Sequence, residues 1–413
     1  MNARPVLPML LVLLGGITLS TPVLAQGQGA APPRGNTVLN RQRPETDAIG
    51  LPVSESFRIF PSLDVAEEYD SNIYAQQTDK VDDYITLVRP ELLLTTGGPA
   101  PALQLRGYGD MQFHANETSE DAKDFGVEGR GQTARDRPLQ LEVTTGFARQ
   151  TRDRSDPEEL SSNPRSKLNR YFGRGQVNLQ FQQVRLSASG ELRRLDFLQD
   201  FNDDRDRKEL ILRGEVSLLR ASDREIYLAP EWRDINYDEE VDRAGFDRDR
   251  QDLSGYAGVR LGVGGLITGT VEVGATHLTY DDPAFDDHLI AAALVDVDWS
   301  VTPLTTLSLT GERAPQATTQ PGSSVRIDSS VELTVTHELR RTILLEADAG
   351  YANWDFDGID RSDDVLSLGA GVSYLMNRYI HLVAEYHYFD RSSDFDLADF
   401  SRHRASIGLR LQL

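Results

Sequence analysis

The chain is predicted to be all-β: a single antiparallel transmembrane β-barrel of about eighteen strands, with short turns at one end and longer Asp-rich loops at the other. Three observations predict it. From Phe57 to Leu413, short segments alternate apolar and polar residues. The gaps between segments alternate short (Thr96–Pro101, Gln182–Gln183, Ala221–Asp223, Gly264–Gly265, Asn377–Arg378) and long (Asp153–Lys167, Asp196–Lys208, Asp238–Asp247, Asp355–Asp363, Asp390–Asp399). Finally, no stretch after the N-terminus is apolar enough for a spanning helix, and only helices and closed barrels satisfy every backbone polar group in lipid.

The chain opens with the features of a secretion signal. Arg4 is the positive end, Leu7–Leu19 a short apolar run, and Val23-Leu24-Ala25 a small-residue cleavage site that places the mature start at Gln26. The run is short for a membrane anchor, and Pro8 and Gly15-Gly16 weaken it further. Residues 26–56 are rich in Gly, Pro, Ala and Arg without a period, and are expected to form a flexible periplasmic tail. Residues 57–413 form the barrel.

Because successive side chains on a strand point to opposite faces, rows at spacing two identify the faces. Leu103, Leu105, Gly107, Gly109, Met111 and Phe113 make one row, with Gln104, Arg106, Tyr108, Asp110 and Gln112 between them. Tyr171, Gly173, Gly175, Val177, Leu179 and Phe181 make another, opposed by Arg170, Arg174, Gln176, Asn178 and Gln180. Strands are expected to begin near Phe57, Asp83, Ala102, Lys123, Leu139, Leu168, Val184, Glu209, Arg224, Asp249, Leu266, Asp287, Leu304, Ile327, Thr342, Asp364, Tyr379 and Ser401. Pro61 and Pro90 fall inside two of them, where proline removes a ladder hydrogen bond; an even count selects eighteen. A soluble β-sandwich shows the same alternation with the apolar face inward. Full charges at mid-strand, alternating loop lengths and aromatic residues near strand ends (Tyr84, Trp299, Trp354, Tyr374, Tyr379) favour the barrel.

Composition narrows the function. The chain has 43 Lys+Arg against 65 Asp+Glu, a net charge of −22, which disfavours a nucleic-acid partner. With no cysteine it has neither a disulfide framework nor a thiolate metal site.

The stretch Glu67-Glu68-Tyr69-Asp70-Ser71-Asn72-Ile73-Tyr74, followed by Val88-Arg89-Pro90-Glu91-Leu92, resembles the opening hairpin of a family of outer-membrane β-barrel porins from Gram-negative bacteria. That family has a Tyr-Asp-Ser-Asn turn after its first strand and an Arg-Pro-x-Leu strand next. The resemblance implies an outer-membrane barrel associated with exopolysaccharide production or export. It supplies no transport residues to carry over. The terminal strand, Ala405 to Leu413, suits recognition by the barrel assembly machinery, although Leu413 replaces the usual Phe.

The residues expected to line the lumen are Arg106, Arg130, Arg174, Arg185, Glu191, Arg193, Arg213, Glu215, Arg260, Glu272, Glu385 and Arg410. Their charges would tune a pore or neutralise one another across strands, and neutralisation is favoured. His381, Glu385 and His387 share one strand face and form the best cluster for metal or acid–base chemistry, yet such a trio more often lines a polar lumen. The Asp-rich loops lack the Gly and Glu spacing of an EF-hand. Neither a catalytic site nor a cofactor nor a metal is expected. The function read from sequence is a porin-like channel passing exopolysaccharide or small solutes. The alternatives are a non-conducting structural or surface-interaction barrel and, less favoured, an outer-membrane lipid hydrolase. Expected partners are outer-membrane lipid and lipopolysaccharide, with tail and C-terminus in the periplasm.

Overall fold

The computed structural model describes residues 37–96, 102–133, 138–159, 163–221, 224–263, 265–395 and 398–413. The signal segment, its cleavage site at Ala25 and Gln26, and several predicted turn residues (97–101, 222, 223 and 264) lie outside the described residues.

Eighteen antiparallel strands run in chain order: β1 Phe57–Asp70, β2 Asp83–Thr96, β3 Ala102–His114, β4 Ala122–Gln132, β5 Leu139–Thr151, β6 Lys167–Phe181, β7 Val184–Phe197, β8 Arg207–Ala221, β9 Arg224–Tyr237, β10 Arg250–Val263, β11 Ile267–Tyr280, β12 His288–Thr302, β13 Thr305–Gln316, β14 Arg326–Arg340, β15 Ile343–Phe356, β16 Ser362–Leu375, β17 Ile380–Ser393 and β18 Phe400–Gln412. Each pairs with its neighbours, and β18 returns to β1, with Arg404 opposite Asp70 and Gln412 opposite Ser62. Closure leaves no unpaired edge. Among the described residues no helix is long and apolar enough to cross a membrane. A further short pairing, Leu51–Pro52 against Arg58 and Ile59, flanks the start of β1.

Pro90, one of the two prolines that complicate the strand count, is absorbed locally. Around Arg89–Pro90 the ladder to β3 is interrupted, resuming at Glu91 opposite Tyr108. A Cβ on Gly109 would sit 3.2 Å from the Pro90 ring, so glycine makes room for it. Pro230 repeats the arrangement in β9: its ladder to β8 skips from Leu228 to Glu231, and Gly214 faces its ring. Both strands continue because the other edge of each stays paired.

The fold is inside-out relative to a soluble protein, which excludes the sandwich alternative. Large apolar side chains are the exposed ones, with Leu289 at 75% and Ile407 at 67%, whereas Arg213 and Arg260 are at 7% and 5%. A soluble domain buries its apolar rows and almost never fully buries arginine without a partner. Rings with polar tips sit on the outer face near both rims: Tyr84, Tyr171, Tyr351 and Tyr386 towards the long loops, Trp299, Tyr374 and Tyr379 towards the short turns. Trp354 does not belong to these girdles. It is 2% exposed, packed inward with Phe356, Phe389 and Phe400 beneath the long loops.

This inversion makes a direct prediction. Val273 lies at the middle of β11 on the outer face. Val273→Arg is expected to cost about 2–4 kcal/mol in urea unfolding from lipid vesicles, as charge at a bilayer midplane does. A change below 1 kcal/mol would mean that this face does not meet lipid.

Candidate functional site

The barrel interior holds nearly all the buried charge, and the strands divide it into two unlike walls. On β2–β11 arginines and acids alternate and pair. Arg106 bonds Glu91 at 2.7 Å and Arg130 bonds Glu142 at 2.9 Å. Arg185 reaches Glu225 at 2.8 Å, and Arg260 binds Glu215 at 2.5 Å and Glu225 at 3.2 Å. Arg213 contacts Glu272 at 2.6 Å and Glu231 at 3.5 Å, while the Tyr227 hydroxyl donates to Glu272 at 2.9 Å. Arg193 pairs with Glu191 and Glu209, and Arg174 stands opposite Glu191 in the β6–β7 register. At the seam, Arg410 meets Asp64 at 3.3 Å. Eleven of the twelve expected lumen residues are thus placed among opposite charges on the face opposite the apolar rows.

Glu385 is the exception. It forms no ion pair among the described residues, and its Oε2 is buried without a hydrogen-bond partner. It lines a small cavity with Glu346, Asp348, His387, Thr336 and the tail residue Leu39. The expected trio with His381 does not assemble. His381 is 2% exposed and its Nε2 lies 3.3 Å from the Thr46 carbonyl oxygen, away from the cavity. Among the described residues, no three His, Cys, Asp or Glu side chains converge on a metal position.

Two segments enter the barrel from its ends. The longest loop joins β5 to β6, and its described residues, 152–159 and 163–166, reach across the long-loop opening. Asp153 accepts from Arg402 and Arg404 at 2.9 Å each, both on β18. The Ser155 and Pro157 carbonyls accept from Arg391 and Arg361. Glu158 meets Arg326 of β14 and Glu159 meets Arg205, both at 3.3 Å. On the other side Arg154 grips Glu120 through two nitrogens, at 2.7 and 3.1 Å. Contacts to β18, β14 and the β3–β4 loop place one segment across the mouth. Burial alone would raise the Asp153 carboxyl, but the guanidinium groups of Arg402, Arg404 and Arg165 hold it well below the ordinary range. Asp156 is lowered likewise, against its burial, chiefly by Arg152.

At the short-turn end the tail differs from its expected free state. From Thr37 it is packed against β13–β18. Val38 is fully buried with Leu344 and Leu375, and its N–H donates to Thr306 Oγ1 at 2.9 Å. Arg41 and Arg43 both bind Glu338, at 3.0 and 2.9 Å. The Thr46 carbonyl accepts from Gln412, and the Gly50 N–H donates to the Leu413 carbonyl. Low apolar content and high Gly and Pro predict disorder for an isolated segment; here the barrel wall supplies the apolar and anionic partners that the segment lacks.

Sequence reasoning missed Asp296, Asp298, Glu312 and Glu332 as interior residues, and the anchors Arg41, Arg43, Arg154 and Glu338. For three of the four a signal was present: Asp296, Asp298 and Glu332 alternate with apolar residues, as Glu332 does between Val331 and Leu333, whereas Glu312 stands between Gly311 and Arg313.

Solved structures resemble the chain at low identity. The outer membrane protein OpdK of Pseudomonas aeruginosa matches at 11% identity and TM-score 0.48, covering 86% of this chain and 99% of that one. OccK2 (OpdF) of the same organism matches at 10% identity and TM-score 0.48, covering 87% and 98%. The ferric enterobactin receptor PfeA, also from P. aeruginosa, matches at 9% identity and TM-score 0.43, covering 86% and 80%. No curated protein matches the chain. A family match spans residues 43–413, from the tail segment anchored in the lumen to the last residue of the barrel, and on that match the chain belongs to the family described as "Putative beta-barrel porin 2".

Proposed function

We propose that the protein is an outer-membrane channel for small hydrophilic solutes, with the long loops outside and both chain ends in the periplasm. The observation that carries this reading is the polar interior: a barrel of eighteen strands encloses enough width for an aqueous path, and between apolar clusters such as the one beneath the long loops its inward face is rich in charged and hydroxylated side chains. Residues 152–159 narrow one end, and residues 37–47 cover the β13–β18 side of the other. Such narrowing favours small solutes over a polysaccharide strand. Passage of exopolysaccharide would require both segments to move aside.

Planar-bilayer recordings of the folded, full-length protein test the reading. Discrete conductance steps are expected, whereas silent bilayers from protein that shifts correctly on unheated gels would favour the non-conducting structural barrel.

A further inference from the structure

The second wall of the lumen, on β12–β17, is acidic and uncompensated. Asp296, Asp298, Glu312, Glu332, Glu346, Asp348 and Glu385 all lie on its inward face. Among the described residues none of them forms an ion pair with a lysine or arginine, whereas most charges of the opposite wall are paired. Their cross-strand neighbours explain why. Glu346 stands between Thr336 and Gly371, Asp348 between Thr334 and Gly369, Glu332 between Thr310 and Gly350, and Glu385 between Gly371 and Ser406. Small or hydroxylated partners neutralise nothing.

The same neighbours keep space in front of the carboxylates. A Cβ on Gly369 would fall 2.1 Å from Asp348 Oδ1, so glycine is required there for the acid to lean over it. Glycine at 371 likewise leaves Glu385 room, with its Cγ 3.5 Å from where a Cβ would stand. The result is the cavity lined by Glu346, Asp348, Glu385 and His387. Glu385 is 9% exposed, lines this cavity, and has a carboxylate oxygen with no partner. A buried, unpaired carboxylate is costly unless a cation satisfies it.

We propose that this wall is a cation path, and that the channel's preferred solutes are small organic cations carrying more than one amine. This deepens the channel reading and rests on it. The carboxylates are spread along the strands, Asp296 and Asp298 or Glu346 and Asp348 recurring about 7 Å apart at strand spacing, and they do not converge on one point. A spread row suits a cation with distributed charge, an alkyl polyamine, better than a metal ion that needs converging ligands. The paired wall opposite contributes dipoles but little net charge, so the acidic wall sets the field of the lumen.

The test uses folded, full-length protein in planar bilayers under a tenfold KCl gradient, with spermidine as the probe. The expected reversal potential corresponds to K⁺ over Cl⁻ permeability of roughly five or more at low salt, where screening is weakest. Spermidine at micromolar to millimolar concentration should block the current. The triple variant Glu346→Gln, Asp348→Asn, Glu385→Gln should bring the ratio close to one and abolish the block. It strands no buried base, so it is expected to fold and to shift on unheated gels. Conductance that prefers chloride, or that is unaltered in the triple variant, would overturn the cation path and leave the channel standing. If the bilayers are silent, the channel reading fails, and titration calorimetry of spermidine into the detergent-folded protein decides the wall: binding weakened tenfold or more in the variant supports it as a cation site, and no binding to the unmodified protein overturns it.

Discussion

Deleting residues 37–48 is expected to raise the single-channel conductance roughly twofold or more, since it clears the tail from the short-turn end of an eighteen-stranded lumen. The segment is held by one anionic anchor, a small apolar contact and single hydrogen bonds to Thr306 and Gln412. Glu338 binds both Arg41 and Arg43 and is buried beneath them, and Val38 seals against Leu344 and Leu375. None of these contacts belongs to the barrel's own hydrogen-bond ladder. The deletion therefore exposes Glu338 to water at the widened mouth and leaves the sheet closed through β18 and β1. Glu338→Gln should act in the same direction with a smaller effect, because it removes both ion pairs but keeps the Val38 contact. The measurement is conductance in planar bilayers, with folding checked by the gel shift. Unchanged conductance in the folded deletion protein would mean that the tail does not limit the path.

Arg154→Ala should release the opposite constriction. Arg154 and Glu120 are each about 5% exposed and are joined by a two-nitrogen bond, and Arg154 also donates to the Asn163 carbonyl at 2.7 Å. Removing the arginine leaves Glu120 buried and unpaired, a loss of about 3–5 kcal/mol of local stability. Because the loop is covalently joined to the barrel only at β5 and β6, that loss is expected to undock it and spare the sheet. Limited proteolysis of reconstituted protein should then cut within the loop at least tenfold faster, and conductance should rise. Arg154→Lys should fall between, since a single ammonium cannot reproduce the paired contact. A loop that stays protease-resistant in Arg154→Ala would show that the Asp153, Glu158 and Glu159 contacts suffice.

The docked loop also has a defined response to acid. The Asp153 carboxyl is held well below its ordinary value by Arg402 and Arg404. A carboxyl lowered on docking stabilises the docked form fully above the undocked pKa of about 4, and that contribution disappears as pH falls through the lower, docked value. Protease resistance of the unmodified loop should accordingly persist at pH 5 and give way only in stronger acid.

Much of the architecture was legible along the chain because strand periodicity is a local property. The strand starts read from sequence fall within two residues of the observed ones, β8 at Arg207 and β16 at Ser362 being the furthest off. Inward and outward rows followed from the same period. Inward placement could be read residue by residue, but partners could not. Arg260 binds Glu215 two strands away, and Arg213 binds Glu272 three strands away, pairings that depend on curvature rather than on the adjacent-strand register.

The sequence by itself determined the closed sheet, its strand count and the alternation of apolar and polar faces. All of these follow from a two-residue period and from turn chemistry within a few positions. Only the tertiary structure decided what fills the lumen. Loop 152–166 finds partners on β14 and β18, and the tail finds Glu338 almost three hundred residues away. The division into a neutralised wall and an acidic one arises in the same way. Each depends on which distant strands closure brings face to face across the interior, and no local pattern encodes that.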